Sequence, residues 1–221
     1  MSEPLFRNRR QAGQALAGLL GAYVDRHDVL VLALPRGGVP VGFEVAETLH
    51  APLDVFIVRK LGVPGREEYA MGAIASGGVR VLNEEVTRTL RISAAAIEEV
   101  ARSELSELQR RERLYRDARP PPDVRGRAVL VVDDGLATGS TMRAAVRALR
   151  VQQPARIVVA VPIASAEACE ELHSEADEVV CLSTPEPFIA VGLWYEDFGQ
   201  TTDQEVHELL ERARLDAAHG T

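Results

Sequence analysis

The chain has 221 residues, 46% hydrophobic and 26% charged, which suits one soluble globular domain with a sizeable core. Its 33 acidic and 25 basic residues give a formal net charge of −8, arguing against nucleic acid as the main partner. The two cysteines, Cys169 and Cys181, are too few for a disulfide framework and suggest a reducing cytoplasm, and no run reaches the ~20 apolar residues of a membrane span.

An apolar segment, 12–24, follows Arg7, Arg9 and Arg10. Gln11 and Gln14 interrupt it, and Asp25–Asp28 follow with no small-residue cleavage site. It therefore reads as an amphipathic helix covering the core, not a signal peptide. Val29–Leu34 reads as a strand, Pro35-Arg36-Gly37-Gly38 as a turn, and Val39–Leu49 as a helix. Leu53–Val58 is a second strand. The polar stretch 59–70, with Gly62, Pro64 and Gly65, reads as a mobile loop. Met71–Ala75 and Val79–Leu82 flank Ser76-Gly77-Gly78 as a hairpin. Ser93 caps a long helix to about Arg116, which Pro120–Pro122 ends. Val129–Val132 is a short buried strand, and a helix follows to about Arg150. Ile157–Pro162 and Val179–Leu182 are strands separated by a helix from about Ala166. An aromatic-rich segment, 183–200, precedes a terminal helix, Asp203–Ala213. This alternation predicts an α/β fold over 1–221: a mainly parallel sheet with helices on both faces, plus a small C-terminal hood.

The densest chemical information lies in 129–142. The Val129–Val132 strand ends on adjacent carboxylates, Asp133 and Asp134. The loop Gly135-Leu136-Ala137-Thr138-Gly139 follows, and Ser140 and Thr141 open a helix. Backbone amides of such a loop, backed by a helix N-terminus, make a phosphate site. The loop lacks the lysine of a Walker A motif, and the dinucleotide fingerprint is absent. Carboxylates accept hydrogen bonds from sugar diols. At ~5 Å and an effective dielectric of ~20, two of them repel by roughly 3 kcal/mol, so hydroxyl donors or a cation must offset the repulsion.

This pattern resembles the phosphoribosyl-pyrophosphate (PRPP) motif of the type I phosphoribosyltransferases. The resemblance spans roughly 28–200 and implies a Rossmann-like phosphoribosyltransferase core. It places Asp133 and Asp134 at the ribose hydroxyls, and Ala137, Thr138, Gly139, Ser140 and Thr141 around the 5′-phosphate. Arg36, Gly37 and Gly38 are similar to the family's pyrophosphate loop, in which a basic residue precedes a Gly-Gly pair. There the resemblance implies a cis peptide at Pro35–Arg36. Arg59 and Lys60, the latter the only lysine, are similarly expected at the departing pyrophosphate. Lys60, Asp133 and Asp134 are the expected catalytic residues. Residues 59–70 would form a lid excluding water from an oxocarbenium-like state, and none of Arg66, Glu67, Glu68 and Tyr69 is given an acid/base role. The hood would contact the base, with Phe188 or Trp194 stacking on it.

The resemblance implies a pentosyltransferase of nucleotide salvage or nucleoside metabolism. It would use Mg²⁺ carried mainly on PRPP, with Asp133 and Asp134 nearby. Its partners would be PRPP and a small planar base, with a homodimer left open. Ala137 stands where 6-oxopurine enzymes carry an aspartate, so the base is not assigned. The alternative is a non-catalytic PRPP-sensing regulator on the same fold. A phosphohydrolase using Asp133 lacks supporting motifs. The run Arg110, Arg111, Arg113, Arg116 and Arg119 reads as a solvated helix face beside Glu104, Glu107 and Glu112. The five histidines lack metal-ligand spacing.

Overall fold

The computed structural model describes residues 3–117 and 119–219, the last three as backbone only. Met1, Ser2, Ala118, Gly220 and Thr221, which the one-domain reading includes, lie outside the described residues. In chain order, α1 (Arg9–Ala17) precedes β1 (Val29–Ala33), α2 (Gly38–Leu49) and β2 (Leu53–Val55). The strands β3 (Val58–Val63), β4 (Arg66–Ala75) and β5 (Val79–Leu82) lead to α3 (Glu84–Thr89) and α4 (Ala94–Arg116). Then come β6 (Ala128–Val132), α5 (Ser140–Val151), β7 (Arg156–Ile163), α6 (Ala166–Leu172), β8 (Glu178–Ser183) and α7 (Asp203–His219).

Five strands form a parallel sheet in the order β2-β1-β6-β7-β8. Successive residues of a strand point to opposite faces. Val29, Val31, Leu130, Val132 and Val158 thus pack with Leu16, Val41 and Val45 of α1 and α2. Leu30, Leu32, Val129, Val131 and Ile157 pack with Met142, Val146 and Leu149 of α5. Burial on both faces explains why these strands are continuous apolar runs. The chain leaves β1 for α2 on one face and β6 for α5 on the other. Neighbouring strands whose connections diverge in this way open a crevice at their carboxyl ends. That crevice lies between the Arg36 loop and the Asp133 loop.

Residues 59–70 differ from the expected loop. β3 and β4 pair antiparallel, Arg59 opposite Ile74 and Lys60 opposite Ala73, with Gly65 at φ 75° in the turn. With β5 they form a separate three-stranded sheet. The strand signal is Leu61, Val63, Met71 and Ile74, which bury against Leu108, Tyr115, Val206 and Leu210. Polar neighbours masked it. The short α3 was not expected; the Asn83 side chain caps it by accepting from the Val86 amide. Ser93 caps α4 as expected, accepting from the Ala96 amide. Cys169 on α6 and Cys181 on β8, too few for a framework, form a single disulfide. No helix among the described residues is long and apolar enough to cross a membrane.

Candidate functional site

The two strand-end loops touch. A Cβ at Gly37 would fall 2.0 Å from Asp134 Oδ2, and one at Gly38 would fall 2.7 Å from the Val132 carbonyl oxygen. Only residues without a side chain allow the Arg36 loop to lie against the carboxylates this closely. Gly38 then opens α2, and the Pro35–Arg36 peptide is cis, as the resemblance implied. Arg36 is partly exposed and lies 3.7 Å from Asp203, at the start of α7. Asp203 also accepts a 2.6 Å bond from Tyr115 Oη.

Behind the 135–139 loop, the Leu136 amide donates to the Ile163 carbonyl, and Ser165 Oγ donates to the Ala137 carbonyl at 2.8 Å. These bonds anchor the rear of the loop and leave Ala137, Thr138, Ser140 and Thr141 exposed at its front. Gly139 turns the chain into α5 at φ 65°, with no side-chain cap on the helix. At the start of α5 the Ser140 amide donates to Thr138 Oγ1 at 3.5 Å, and the Thr138 and Ser140 hydroxyls, 3.3 Å apart, belong to residues exposed at the loop's front.

The carboxylate pair has a partner from the other end of the chain. Arg9 Nε donates to Asp134 Oδ2 at 2.8 Å, and Arg9 Nη1 donates to the Gly199 carbonyl at 2.7 Å. The guanidinium lies 3.9 Å from the centroid of the Phe198 ring. Tyr195 Oη donates to the Asp134 carbonyl at 2.6 Å, and its ring stacks on Phe198. Burial and the neighbouring Asp134 charge push the Asp133 carboxyl well above the ordinary range. Burial also raises Asp134, against the lowering effect of Arg9. Tyr195 is raised as well, by burial first and the Asp134 charge second.

The family model described as "Phosphoribosyl transferase domain" matches residues 7–196. This chain belongs to the phosphoribosyl transferase domain family. It is 50% identical over 214 residues to the "Putative phosphoribosyl transferase" of two Mycobacterium tuberculosis strains, covering 97% of this chain and 48% of those proteins. The chain thus spans about half the length of the curated relatives it matches. The crystal structure of TT1426 from Thermus thermophilus is similar at a TM-score of 0.84 and 45% identity. That match covers 94% of this chain and 98% of that one.

The structure brings the Arg36-Gly37-Gly38 loop against Asp133 and Asp134, with the 137–141 loop running on from the pair. It treats other expected residues differently. Arg59 is engaged by Glu104 of α4 at 2.7 Å, while Lys60 beside it is exposed. Both line a cavity of about 360 Å³ with Gly62, Glu67 and Glu68. Trp194 is 6% exposed and packs with Phe6 and Tyr195 in the hood's own core, so its ring is not presented for stacking. Phe188 is only partly buried. Arg116 departs from the solvated face: it is buried, bonded to Asp54 at 2.6 Å and to Glu112 at 3.0 Å.

Sequence reasoning missed Arg9, Tyr195 and Phe198 as parts of the site. Residues 5–7 and 194–197 exchange backbone hydrogen bonds, a long-range pairing that delivers Arg9 to Asp134. Asn8, capping α1, was the one local hint of where that helix begins. For a divalent cation the donor set is thin. Among the described residues no three His, Cys, Asp or Glu side chains converge, and Arg9 already engages Asp134. These residues do not fit a protein-held Mg²⁺.

Proposed function

We propose that this protein transfers 5-phosphoribosyl from PRPP to a nitrogen of a small planar base, releasing pyrophosphate. The observation that carries this reading is the meeting of the Arg36-Gly37-Gly38 loop with the Asp133–Asp134 pair at the β1/β6 crevice. The crevice offers three chemistries in a row: a guanidinium for a diphosphate, carboxylates for a sugar diol, and loop amides at a helix N-terminus for a 5′-phosphate. The nitrogen lone pair forms the new bond to C1′ as the C1′–oxygen bond breaks. Pyrophosphate leaves with that electron pair, and the base later loses its proton. Mg²⁺ belongs to this reading as part of the magnesium–PRPP substrate. In this reading Lys60 is assigned to the departing pyrophosphate, and Phe188 is the candidate for stacking on the base.

Calorimetry with PRPP and Mg²⁺, followed by a screen of purine and pyrimidine bases that reads pyrophosphate release, tests the proposal. Absence of PRPP binding would refute it. Tight PRPP binding without release against any base would favour the second reading, a PRPP-sensing regulator.

A further inference from the structure

We propose that the outward face of α4 is the contact surface for a second copy of this chain, the two α4 helices running antiparallel about a two-fold axis. The proposal does not depend on the PRPP reading above.

One side of α4 is buried and the opposite side is open. Glu99, Ser103, Ser106, Arg110 and Arg113 are all exposed, and they recur at alternating spacings of four and three residues. On a 3.6-residue helix these positions fall within about 60° of Ser106, so they form one stripe along the axis. Such spacings are those by which one helix packs lengthwise on another. The serines at the middle are short and the flanking Glu99, Arg102, Glu107 and Arg110 are long, which makes the stripe a groove of about 710 Å³.

Charge along the stripe is divided. Glu99 lies N-terminal to the serines, and Arg110 and Arg113 lie C-terminal to them. The helix macrodipole does not account for this, because its influence falls off within the first and last turns. Glu99 is in the second turn, and Arg110 is about two turns from the end. Pairs within the chain do not absorb the charges either. Among the described residues the Glu99 and Arg113 side chains have no hydrogen-bond or ion-pair partner, and Glu107 is already shared by Arg110 and Arg111.

A second α4 of opposite direction supplies what each end lacks. In a two-fold contact every pairing occurs twice. With the axis between Ser103 and Ser106, Glu99 of either copy faces Arg110 and Arg113 of the other, and Ser103 faces Ser106. Leu114, 39% exposed on this polar helix, comes level with Ala95 and Ala96 of the second copy and gives each end an apolar contact. A polyanionic partner fits less well, because Glu99 and Glu107 border the same groove. Stable interfaces bury about 1,200–2,000 Å². A stripe on one helix falls at or below the low end of that range and relies on exposed charge pairs, so the association is weak and salt-sensitive.

Sedimentation of the full chain over a concentration series, in low and in high salt, tests this. The parent should show a monomer–dimer equilibrium in low salt that shifts towards monomer as salt is added. Glu99→Arg, and separately Arg110→Glu/Arg113→Glu, should each weaken dimerisation by about tenfold or more, since each sets like charges face to face. The triple variant Glu99→Arg/Arg110→Glu/Arg113→Glu reverses the whole facing and should recover to within about threefold of the parent. Ser106→Arg, which fills the groove and breaks no pair within the chain, should also weaken dimerisation; it decides the matter if circular dichroism shows that a reversal has unfolded the chain. A parent that stays monomeric in low salt would overturn the proposal and leave the stripe to a different partner. A dimer indifferent to the reversals and to Ser106→Arg, or a folded triple variant no better than its component reversals, would overturn it too.

Discussion

Replacing Asp133 with asparagine should make the protein more stable and a weaker binder of PRPP. Asn keeps the Oδ1 acceptor for the Asp134 amide and removes a charge that both burial and Asp134 disfavour. The repulsion removed is roughly 3 kcal/mol at ~5 Å and an effective dielectric of ~20. Arg9 and partial solvation offset some of this, leaving a net gain of about 1–2 kcal/mol. For a chain of this size that raises the thermal midpoint by about 2–8 °C. The sign with pH follows from the raised Asp133 pKa. The folded state holds its proton more tightly than the unfolded state, so the parent loses stability as pH rises from about 4 towards the folded-state value. The advantage of Asp133→Asn should therefore vanish below about pH 4 and grow as pH rises towards the folded-state value. The same variant should bind PRPP about tenfold or more weakly, since hydrogen bonds to a charged acceptor contribute ~1.5–3 kcal/mol. Calorimetric scans from pH 3.5 to 8, with PRPP titrations at neutral pH, measure both effects. A lower midpoint at neutral pH, or a gain independent of pH, would refute the electrostatic argument.

Three further outcomes are expected. Lys60→Ala should lower kcat by roughly 10²-fold with the midpoint unchanged, because its exposed ammonium is assigned to charge developing on pyrophosphate, and Lys60→Arg should restore part of it; pyrophosphate release on the accepted base measures this. Asp203→Asn should tighten pyrophosphate binding by about two- to threefold in low salt, since Asp203 lies 3.7 Å from Arg36 with the same sign of charge as the ligand, and the effect should fade as salt is added. Arg116→Ala should cost about 3–5 kcal/mol in urea denaturation, because it strands the Asp54 carboxylate and the Val55 carbonyl beneath α4.

What the sequence made legible was local in origin. The apolar runs of β1 and β6, the Ser93 cap and the Gly37-Gly38 turn are each specified by residues a few positions apart. The ligand crevice follows from them once the strands are known to be parallel. The pieces not read were those whose meaning depends on distant partners. Arg9 and Asp134 are 125 positions apart, and nothing near Arg9 separates it from Arg7 or Arg10. Tyr195 and Trp194 are adjacent aromatics in one segment. One donates to the Asp134 carbonyl and the other fills the hood core, a difference set by the pairing of residues 194–197 with residues 5–7.

Arg116 is a different kind of miss, because its signal was present. Reading the run 110–119 as one solvated face treats charge as a property of a stretch, whereas a helix assigns each position its own direction. Residues eight, eleven and fifteen positions apart fall within about 80° of one another on a 3.6-residue helix. Arg116 stands in those relations to Leu108, Leu105 and Ala101, which form the apolar side of α4, and the structure buries it there. Arg110 lies off that stripe and pairs in the open with Glu107, whose carboxyl is held down to about 2 by Arg110 first and Arg111 second. An arginine at a core-facing position needs buried acceptors, and the Asp54 carboxylate and Val55 carbonyl supply them. Helical phase, applied residue by residue, therefore predicts that Arg110 and Arg111 tolerate substitution where Arg116 does not.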